Sequence, residues 1–296
     1  EKYVICLPRF RLWGRNVCLP KNSSKYWTDS QTVPFLWIFL VGSGLLSHIT
    51  KRVRPDAVVV YNDFDNYRQR LDNIPNTNQL LADLRRITAE LPRKKRITGE
   101  ARERILARIE KEEKEHGYVD YITLSSSLLF SMKYVLNLDN MRKETFYNTI
   151  HRTDYSDAKD YLEGLTIVSE DYKEVFKRYK DVPGVVFLVD PPYLSTEVGT
   201  YKMYWHLADY LNVLHVLKEH SFVYFTSNKS SILELCSWIG DNPSIGNPFK
   251  DCVKVEFNAC VNYSSCYTDI MLCKQVKKMF RIWLPDIEIC EQDVHL

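Results

Sequence analysis

The first clear pattern along the chain is a continuous apolar run at residues 34–41, which is typical of a buried strand. A turn, Gly42-Ser43-Gly44, separates this run from residues with helical spacing that continue to Val53. A second apolar run, at residues 57–61, ends in Asn62-Asp63. This order of elements is that of one half of a nucleotide-binding α/β sheet: a strand, a glycine-rich turn, a helix, and a strand followed by an acidic residue.

The middle of the chain shows helical spacing instead. The spacing predicts three helices, at residues 80–91, 100–115 and 122–135. No strand is predicted between Asn62 and Leu165. We interpret this stretch of about a hundred residues as a helical insertion that divides the sheet along the chain and folds as a separate lobe.

A strand pattern returns at residues 185–189, and this run continues directly into Asp190-Pro191-Pro192-Tyr193. A helix, a strand, a helix and two further strands are then predicted in order, at residues 207–217, 222–226, 231–239, 253–257 and 268–273. Two groups of alternating strands and helices around a helical insertion predict an α/β protein with a mostly parallel sheet.

The composition is that of a folded protein. Of 296 residues, 45% are hydrophobic and 26% are charged, which provides enough apolar surface for a full core. The apolar run at residues 35–46 is too short to cross a bilayer and lacks a signal-peptide cleavage pattern. None of the eight cysteines stands in C-x-x-C spacing, so buried free thiols and no metal are expected. We therefore expect a cytoplasmic protein that does not bind a membrane.

Charge is distributed unevenly, although the formal net charge is only +2. The segment from Arg85 to Glu115 has an excess of Lys and Arg, while the rest of the chain is close to neutral. A local basic excess permits nucleic-acid binding without proving it. On the predicted helix at 100–115, the mixture of Arg and Glu favours an exposed face with ion pairs between residues four apart.

The strongest chemical signal is Asp190-Pro191-Pro192-Tyr193. Ligands of open α/β sheets bind outside the carboxyl ends of strands, where this tetrapeptide stands. The prolines stiffen the loop and donate no hydrogen bond. An acidic acceptor beside free carbonyl groups suits a substrate amino group, and the tyrosine ring offers a face for a stacked base. The alternative is an ordinary rigid turn after a strand.

The glycine turn at Gly42, Ser43 and Gly44 is the second signal. Glycine allows a ligand to approach the backbone, and the N-terminus of the following helix offers unpaired N–H groups. Short glycine turns are common, but here Asp63 ends the next strand at a position suited to ribose hydroxyls. Phe64 either covers an adenine ring or packs in the core.

These motifs and their order resemble the Dam-type N(6)-adenine DNA methyltransferases over about residues 42–274. As in the α group of that family, a glycine-rich cofactor motif comes first, a target-recognition region lies in the middle and Asp-Pro-Pro-Tyr comes last. The similarity continues through Tyr201 and Phe225-Thr226-Ser227-Asn228. The resemblance implies a Rossmann-like S-adenosylmethionine-dependent methyltransferase sheet, residues 1–74 and 161–274. It also implies a helical DNA target-recognition lobe at 75–160, followed by a C-terminal tail at 275–296.

The family's roles fall on matching positions of this chain. Asp190 and the Pro191 carbonyl would accept hydrogen bonds from the amino group of adenine. Pro192 completes the rigid loop, and Tyr193 would stack on the extruded base. For S-adenosylmethionine, the resemblance implies contacts with the glycine turn, the next strand end and an acidic-aromatic pair: Gly42, Ser43, Gly44, Asp63, Phe64, Asp171 and Tyr172. The reaction is a direct in-line methyl transfer that requires no metal.

Candidates for DNA contact lie in the insertion. Arg93, Lys94, Lys95 and Arg96 either bind phosphates or form a solvated charged loop. A second stretch resembles DNA-contacting residues near the end of the family's recognition region, and its candidates are Lys143, Asn148 and Arg152. The expected partner is double-stranded DNA, and we expect a monomer.

The chain departs from the family before Gly42. The family has an acidic residue and an aromatic-glycine pair where Ile38, Leu40 and Val41 stand here, and Trp13-Gly14-Arg15 is a poor match to its first motif. Residues 1–40 have either diverged or been altered by a damaged reading frame.

Two alternatives to adenine methylation in DNA follow. One is methylation of RNA or of a protein amide on the same scaffold, where Asn is more common at the position of Asp190. The other is a DNA-binding relic with a degraded cofactor site, which the changes before Gly42 keep open.

Overall fold

The computed structural model describes residues 36–39, 44–130, 133–192, 194, 205–240, 247–262 and 265–274. Among them, Asn66–Tyr161 form one compact unit, here termed the helical unit. The other described residues form a second compact unit, the sheet unit.

The described elements mix strands and helices along the whole chain. The strands are β1 (Leu36–Phe39), β2 (Val58–Asn62), β3 (Arg96–Ile97), β4 (Phe146–Tyr147), β5 (Thr166–Val168), β6 (Val186–Val189), β7 (Ser221–Ser227), β8 (Val253–Asn262) and β9 (Ser265–Lys274). The helices are α1 (Leu45–Val53), α2 (Tyr67–Asp72), α3 (Ile74–Ile87), α4 (Gly99–His116), α5 (Tyr121–Leu128), α6 (Leu138–Arg142), α7 (Tyr172–Tyr179), α8 (Leu207–Leu217) and α9 (Ile232–Gly240). The α/β composition predicted from the sequence is confirmed.

The sheet unit is built on a seven-stranded sheet with the order β5-β2-β1-β6-β7-β9-β8. The first five strands in this order are parallel, and β9 runs antiparallel to both of its neighbours. Phe39 of β1 lies beside Tyr61 of β2 on one side and beside Leu188 of β6 on the other. The carboxyl end of β1 is therefore flanked by the carboxyl ends of β2 and β6.

Burial on both faces explains the continuous apolar sequence of the central strands. All four residues of β6 are buried, and successive side chains point to opposite faces of the sheet. Phe187 and Val189 pack in one cluster with residues of α7, α8 and α9. Val186 and Leu188 pack in another cluster, which includes Leu46 of α1. A strand covered on both faces requires apolar residues at every position.

The helical unit has its core where α3 packs against α4. Both helices contribute side chains that are almost completely buried: Leu80, Leu81, Leu84, Ile105 and Ile109. The end of α4 is set by Gly117, which adopts a left-handed φ of 68° and donates its N–H to the Glu113 carbonyl. Glycine is favoured at such a position because it has no Cβ to clash.

Two sequence-based expectations for this unit differ from the structure. The helix expected at 122–135 ends at Leu128, because the chain turns back and the Val135 N–H donates to the Ser125 hydroxyl at 3.0 Å. In the same unit, β3 and β4 pair in an antiparallel two-stranded sheet where no strand was expected. Each has only two residues, which is too short for an alternating pattern to appear in a sequence.

Three cysteines with described side chains are free thiols: Cys236, Cys252 and Cys273. Burial raises the pKa of each thiol to about 12, so these groups stay protonated at neutral pH. In the described part of the chain, no helix has both the length and the apolar content needed to cross a membrane.

Candidate active site

The direction of the connections changes between β1 and β6. From β1 the chain leads through α1 to β2 on one side of the sheet order, and from β6 it leads through α8 to β7 on the other. The two strands are parallel neighbours, with Phe39 beside Leu188. In open α/β sheets, the crevice outside the carboxyl ends of two such strands is the usual ligand site. The glycine turn follows β1 here, and Asp190 follows β6.

The loop after β6 is anchored by two hydrogen bonds. The Tyr210 hydroxyl of α8 donates to the Pro192 carbonyl at 2.9 Å, and the Ser231 N–H donates to the Leu194 carbonyl at 3.3 Å. Asp190 is partly exposed, whereas Pro191 and Pro192 are buried. The loop is therefore held by hydrogen bonds from Tyr210 and Ser231 as well as by the stiffness of its prolines. Tyr193 lies outside the described residues.

Tyr224 lies close to this loop, on the strand next to β6, where it pairs with Val189. Burial, and then the nearby Cys236, Tyr210 and Asp190, raise the pKa of Tyr224 well above its usual range. Its hydroxyl is therefore neutral at physiological pH and adds no negative charge beside the loop.

The turn after β1 requires glycine at its last position. Gly44 has a left-handed φ of 71° and directly precedes α1. A Cβ atom there would lie 3.2 Å from Leu162 Cδ2 and 3.2 Å from Tyr61 Cζ. Both the backbone conformation and the lack of space therefore favour glycine. Gly42 and Ser43 lie outside the described residues.

Asp63 follows β2 directly and is only 4% exposed. Its N–H donates to the Val168 carbonyl at 2.7 Å, which ties it to the end of β5. Its carboxylate accepts a hydrogen bond from the Tyr61 hydroxyl, with 3.2 Å between Oη and Oδ1. Phe64, the next residue, is partly exposed.

Asp171 and Tyr172 begin α7. The Asp171 carboxylate caps this helix by accepting from the Lys173 N–H at 2.9 Å. The Tyr172 ring is buried, stacks on Trp205 and donates its hydroxyl to Asp209 at 2.7 Å. Both residues thus have structural partners, and their role toward a cofactor stays a prediction.

Within the helical unit, the two segments with predicted DNA contacts are brought together. Pairing of β3 with β4 sets Arg96 beside Tyr147. The backbone of Asn148 accepts from the Lys94 N–H and donates to the Lys95 carbonyl, both at 2.9 Å. Exposed basic side chains stand on both segments, and they belong to Arg93, Lys94, Lys95, Arg96, Lys143 and Arg152.

Asn148 differs from these residues because it is buried, with 2% of its surface exposed. Its amide nitrogen donates to the Leu91 carbonyl at 2.9 Å, and its amide oxygen accepts from Arg93 at 3.2 Å. A direct contact of this side chain with DNA would first require it to become exposed.

Tyr61 and Tyr210 belong to the site but were not among the residues singled out from the sequence. Tyr61 stands two positions before Asp63 on the same strand, so the two-residue period of a strand could have indicated that they share a face. Tyr210 is 18 residues from Pro192 and lies on another element, so no local pattern links them.

These features define the class of the protein as an α/β protein with polar side chains at the carboxyl ends of parallel strands, the position at which open α/β sheets usually bind ligands. No protein-family model matches the chain. It is 32% identical over 237 residues to a protein of Haemophilus influenzae named "Putative methyltransferase", and the match covers 79% of each chain. The chain therefore belongs to the same methyltransferase family.

Proposed function

We propose that the protein is a site-specific DNA methyltransferase that transfers a methyl group from S-adenosylmethionine to the exocyclic amino group of adenine. The observation that carries the proposal is the position of Asp190-Pro191-Pro192 at the end of β6, beside the strand that leads into the glycine turn. Membership of a methyltransferase family supports methyl transfer, and the acceptor is inferred from this loop.

Asp190 and Pro191 have the chemistry required by an amino group that acts as a nucleophile. A carboxylate and a carbonyl oxygen can both accept hydrogen bonds from the –NH₂ group, which orients its lone pair toward the methyl donor. Among the described residues, the Pro191 carbonyl has no hydrogen-bond partner, whereas the neighbouring Pro192 carbonyl is bound by Tyr210. The loop is preorganised before substrate binds, so little reorganisation is needed during the reaction.

The residues at the ends of β1 and β2 fit the proposed cofactor. S-adenosylmethionine supplies an electrophilic methyl group when bound. Gly44 allows the turn to pack tightly against β2, because a Cβ atom there would lie only 3.2 Å from the Tyr61 ring. Asp63 offers a carboxylate at the end of the next strand for the ribose hydroxyls. We therefore assign Gly44 and Asp63 to the cofactor.

The paired basic segments of the helical unit support DNA as the substrate. Six exposed basic side chains lie on two segments that β3 and β4 join. Phosphate contacts of this kind supply affinity without reading sequence.

RNA or protein-amide methylation on the same scaffold is the alternative enzymatic function. An aspartate at the first position of the loop favours a nucleobase amino group. A DNA-binding relic is the alternative without enzymatic activity. It stays open because the family's first motifs, expected near residues 13–15 and 38–41, are poorly matched in sequence.

The test is to express the full chain in a bacterial host without adenine methylation and to map modified adenines by sequencing the host DNA. We expect modification at one sequence motif with the wild type, none with Asp190→Ala, and wild-type levels with Asp181→Ala. Asp181 is an exposed aspartate before β6 and serves as the matched control.

The other outcomes separate the alternatives. Unmodified DNA together with S-adenosylmethionine binding by the purified protein would contradict DNA as the substrate and favour RNA or protein. Unmodified DNA without cofactor binding would indicate the relic.

A further inference from the structure

Tyr61 touches both parts of the proposed cofactor site while lying wholly inside the protein. It has no exposed surface. Its ring atoms lie within 3.2–3.3 Å of the point where Gly44 would carry a Cβ. Its hydroxyl is 3.2 Å from Asp63 Oδ1. The glycine turn after β1 and the carboxylate after β2 are thus linked through a single side chain.

We infer that Tyr61 is a positioning residue, which orients the Asp63 carboxylate toward the vicinal hydroxyls of a ribose. This inference rests on the proposed function. Tyr61 does not touch the ligand, because it is buried; it acts through Asp63. The two side chains can meet because residues two positions apart along a strand lie on the same face.

The hydroxyl of Tyr61 restricts the orientation of the Asp63 carboxylate. The final torsion of an aspartate side chain is broad, so its carboxylate plane is poorly defined by rotamer preference alone. The hydrogen bond from the buried Tyr61 hydroxyl to Oδ1 restricts that plane and, with it, the direction of the second oxygen. The Asp63 N–H bond to Val168 holds the backbone of the same residue. The two ribose hydroxyls would therefore donate to an Asp63 carboxylate that is already oriented to accept from them.

The ring of Tyr61 has a separate role from its hydroxyl. Because it occupies the space beside Gly44, it determines how closely the turn approaches β2. Tyr61→Phe keeps this ring and removes only the hydroxyl, so it tests the hydrogen bond to Asp63 without changing the packing beside Gly44. Tyr179→Phe, at the carboxyl end of α7, removes a tyrosine hydroxyl elsewhere in the sheet unit and is the matched control.

The experiment measures the dissociation constant of S-adenosylhomocysteine by calorimetry, using the full chain. We expect Tyr61→Phe to weaken binding about tenfold, which is the effect of losing one oriented hydrogen bond. Tyr179→Phe should bind as the wild type does. With an analogue that lacks both ribose hydroxyls, Tyr61→Phe and wild type should bind equally, because the carboxylate then has no diol to meet.

A double-mutant cycle keeps the inference testable if Tyr61→Phe alone lowers stability. Asp63→Asn should weaken binding of S-adenosylhomocysteine, and adding Tyr61→Phe to it should cause no further loss. In steady-state kinetics, Tyr61→Phe should raise KM for S-adenosylmethionine and leave kcat nearly unchanged.

Two results would overturn the inference alone: equal binding of the ligand by Tyr61→Phe and wild type, or the same loss with and without the ribose hydroxyls. If the wild-type protein binds neither S-adenosylmethionine nor S-adenosylhomocysteine, both the inference and the proposed function are wrong.

Discussion

The amide oxygen of Asn148 accepts a hydrogen bond from Arg93 at 3.2 Å and joins two segments of the helical unit that are 55 residues apart in sequence. The amide nitrogen of the same side chain donates a hydrogen bond to the Leu91 carbonyl. Lys94, which directly follows these attachment points, adopts a left-handed φ of 60°. The basic loop therefore has a defined shape, and Asn148 helps to set that shape.

Asn148→Ala should lower stability and loosen the basic loop. The substitution leaves the Leu91 carbonyl without this partner, which costs about 1–3 kcal/mol of the free energy of unfolding. Urea denaturation measures this loss. Asn140→Ala, at an exposed position of α6, should change stability by less than about 0.5 kcal/mol. Equal stabilities of the two variants would show that the Asn148 contacts are not important.

The basic loop should contribute to DNA affinity without regard to sequence. We expect the combined variant Arg93→Gln, Lys94→Asn, Lys95→Gln and Arg96→Gln to reduce the slope of log K against log salt by up to about 3–4, at roughly 0.9 per lost phosphate contact. Asn replaces Lys94 because it tolerates the left-handed conformation. Fluorescence anisotropy with specific and unrelated duplexes at several salt concentrations measures the slope.

The matched control for the loop removes four exposed lysines of the sheet unit, and its substitutions are Lys177→Gln, Lys180→Gln, Lys218→Gln and Lys250→Gln. Its salt slope should equal that of the wild type, and both combined variants should bind S-adenosylmethionine normally. An unchanged slope in the loop variant would show that the loop does not contact phosphates, and Lys143 and Arg152 would be the next residues to test.

Tyr193 should be needed for its ring and not for its hydroxyl. This prediction rests on the sequence, since the residue lies outside the described part of the chain. Tyr193→Ala should weaken the capture of an extruded base by roughly 1–3 kcal/mol, whereas Tyr193→Phe should resemble the wild type. The fluorescence of 2-aminopurine at the target position reports extrusion. A signal from Tyr193→Ala as high as that of the wild type would refute the stacking role.

Asp209 should make the protein sensitive to acid. Burial alone would raise the pKa of this carboxyl, but hydrogen bonds from Tyr172 and the His206 N–H, together with Lys173 at 3.5 Å, outweigh burial and lower it. A carboxyl with a lowered pKa in the folded state stabilises the protein above its unfolded pKa of about 3.9. That stabilisation is lost as the pH falls through the folded-state pKa.

Asp209→Asn should therefore lower the free energy of unfolding at pH 7 by about 1–3 kcal/mol, and the difference from the wild type should shrink below about pH 4. Urea denaturation at a series of pH values measures both effects. Asp181→Asn, at an exposed site, should follow the wild-type pH profile. A constant difference between Asp209→Asn and the wild type at every pH would contradict the assignment.

Much of the sheet unit could be predicted because the apolar patterns that indicate each strand and helix lie within that element's own sequence. The strand β6 and the helices α1, α4, α8 and α9 begin and end within a few residues of the expected bounds. Apolar runs and helical spacing arise from burial of the element itself, so they are present in the residues of that element. Asp190-Pro191-Pro192 could likewise be recognised at the end of a strand, since the strand and the loop are contiguous.

By itself, therefore, the sequence determined the α/β class, the positions of the glycine turn and of Asp190, and two separate basic candidates. The tertiary structure decided which distant residues meet: Tyr61 with Asp63 and Gly44, Tyr210 with Pro192, and Asn148 with the basic loop. The physical reason is that hydrophobic periodicity records whether a residue is buried. Which partner it meets depends on strand order and chain reversal, and one chain's local pattern does not specify these.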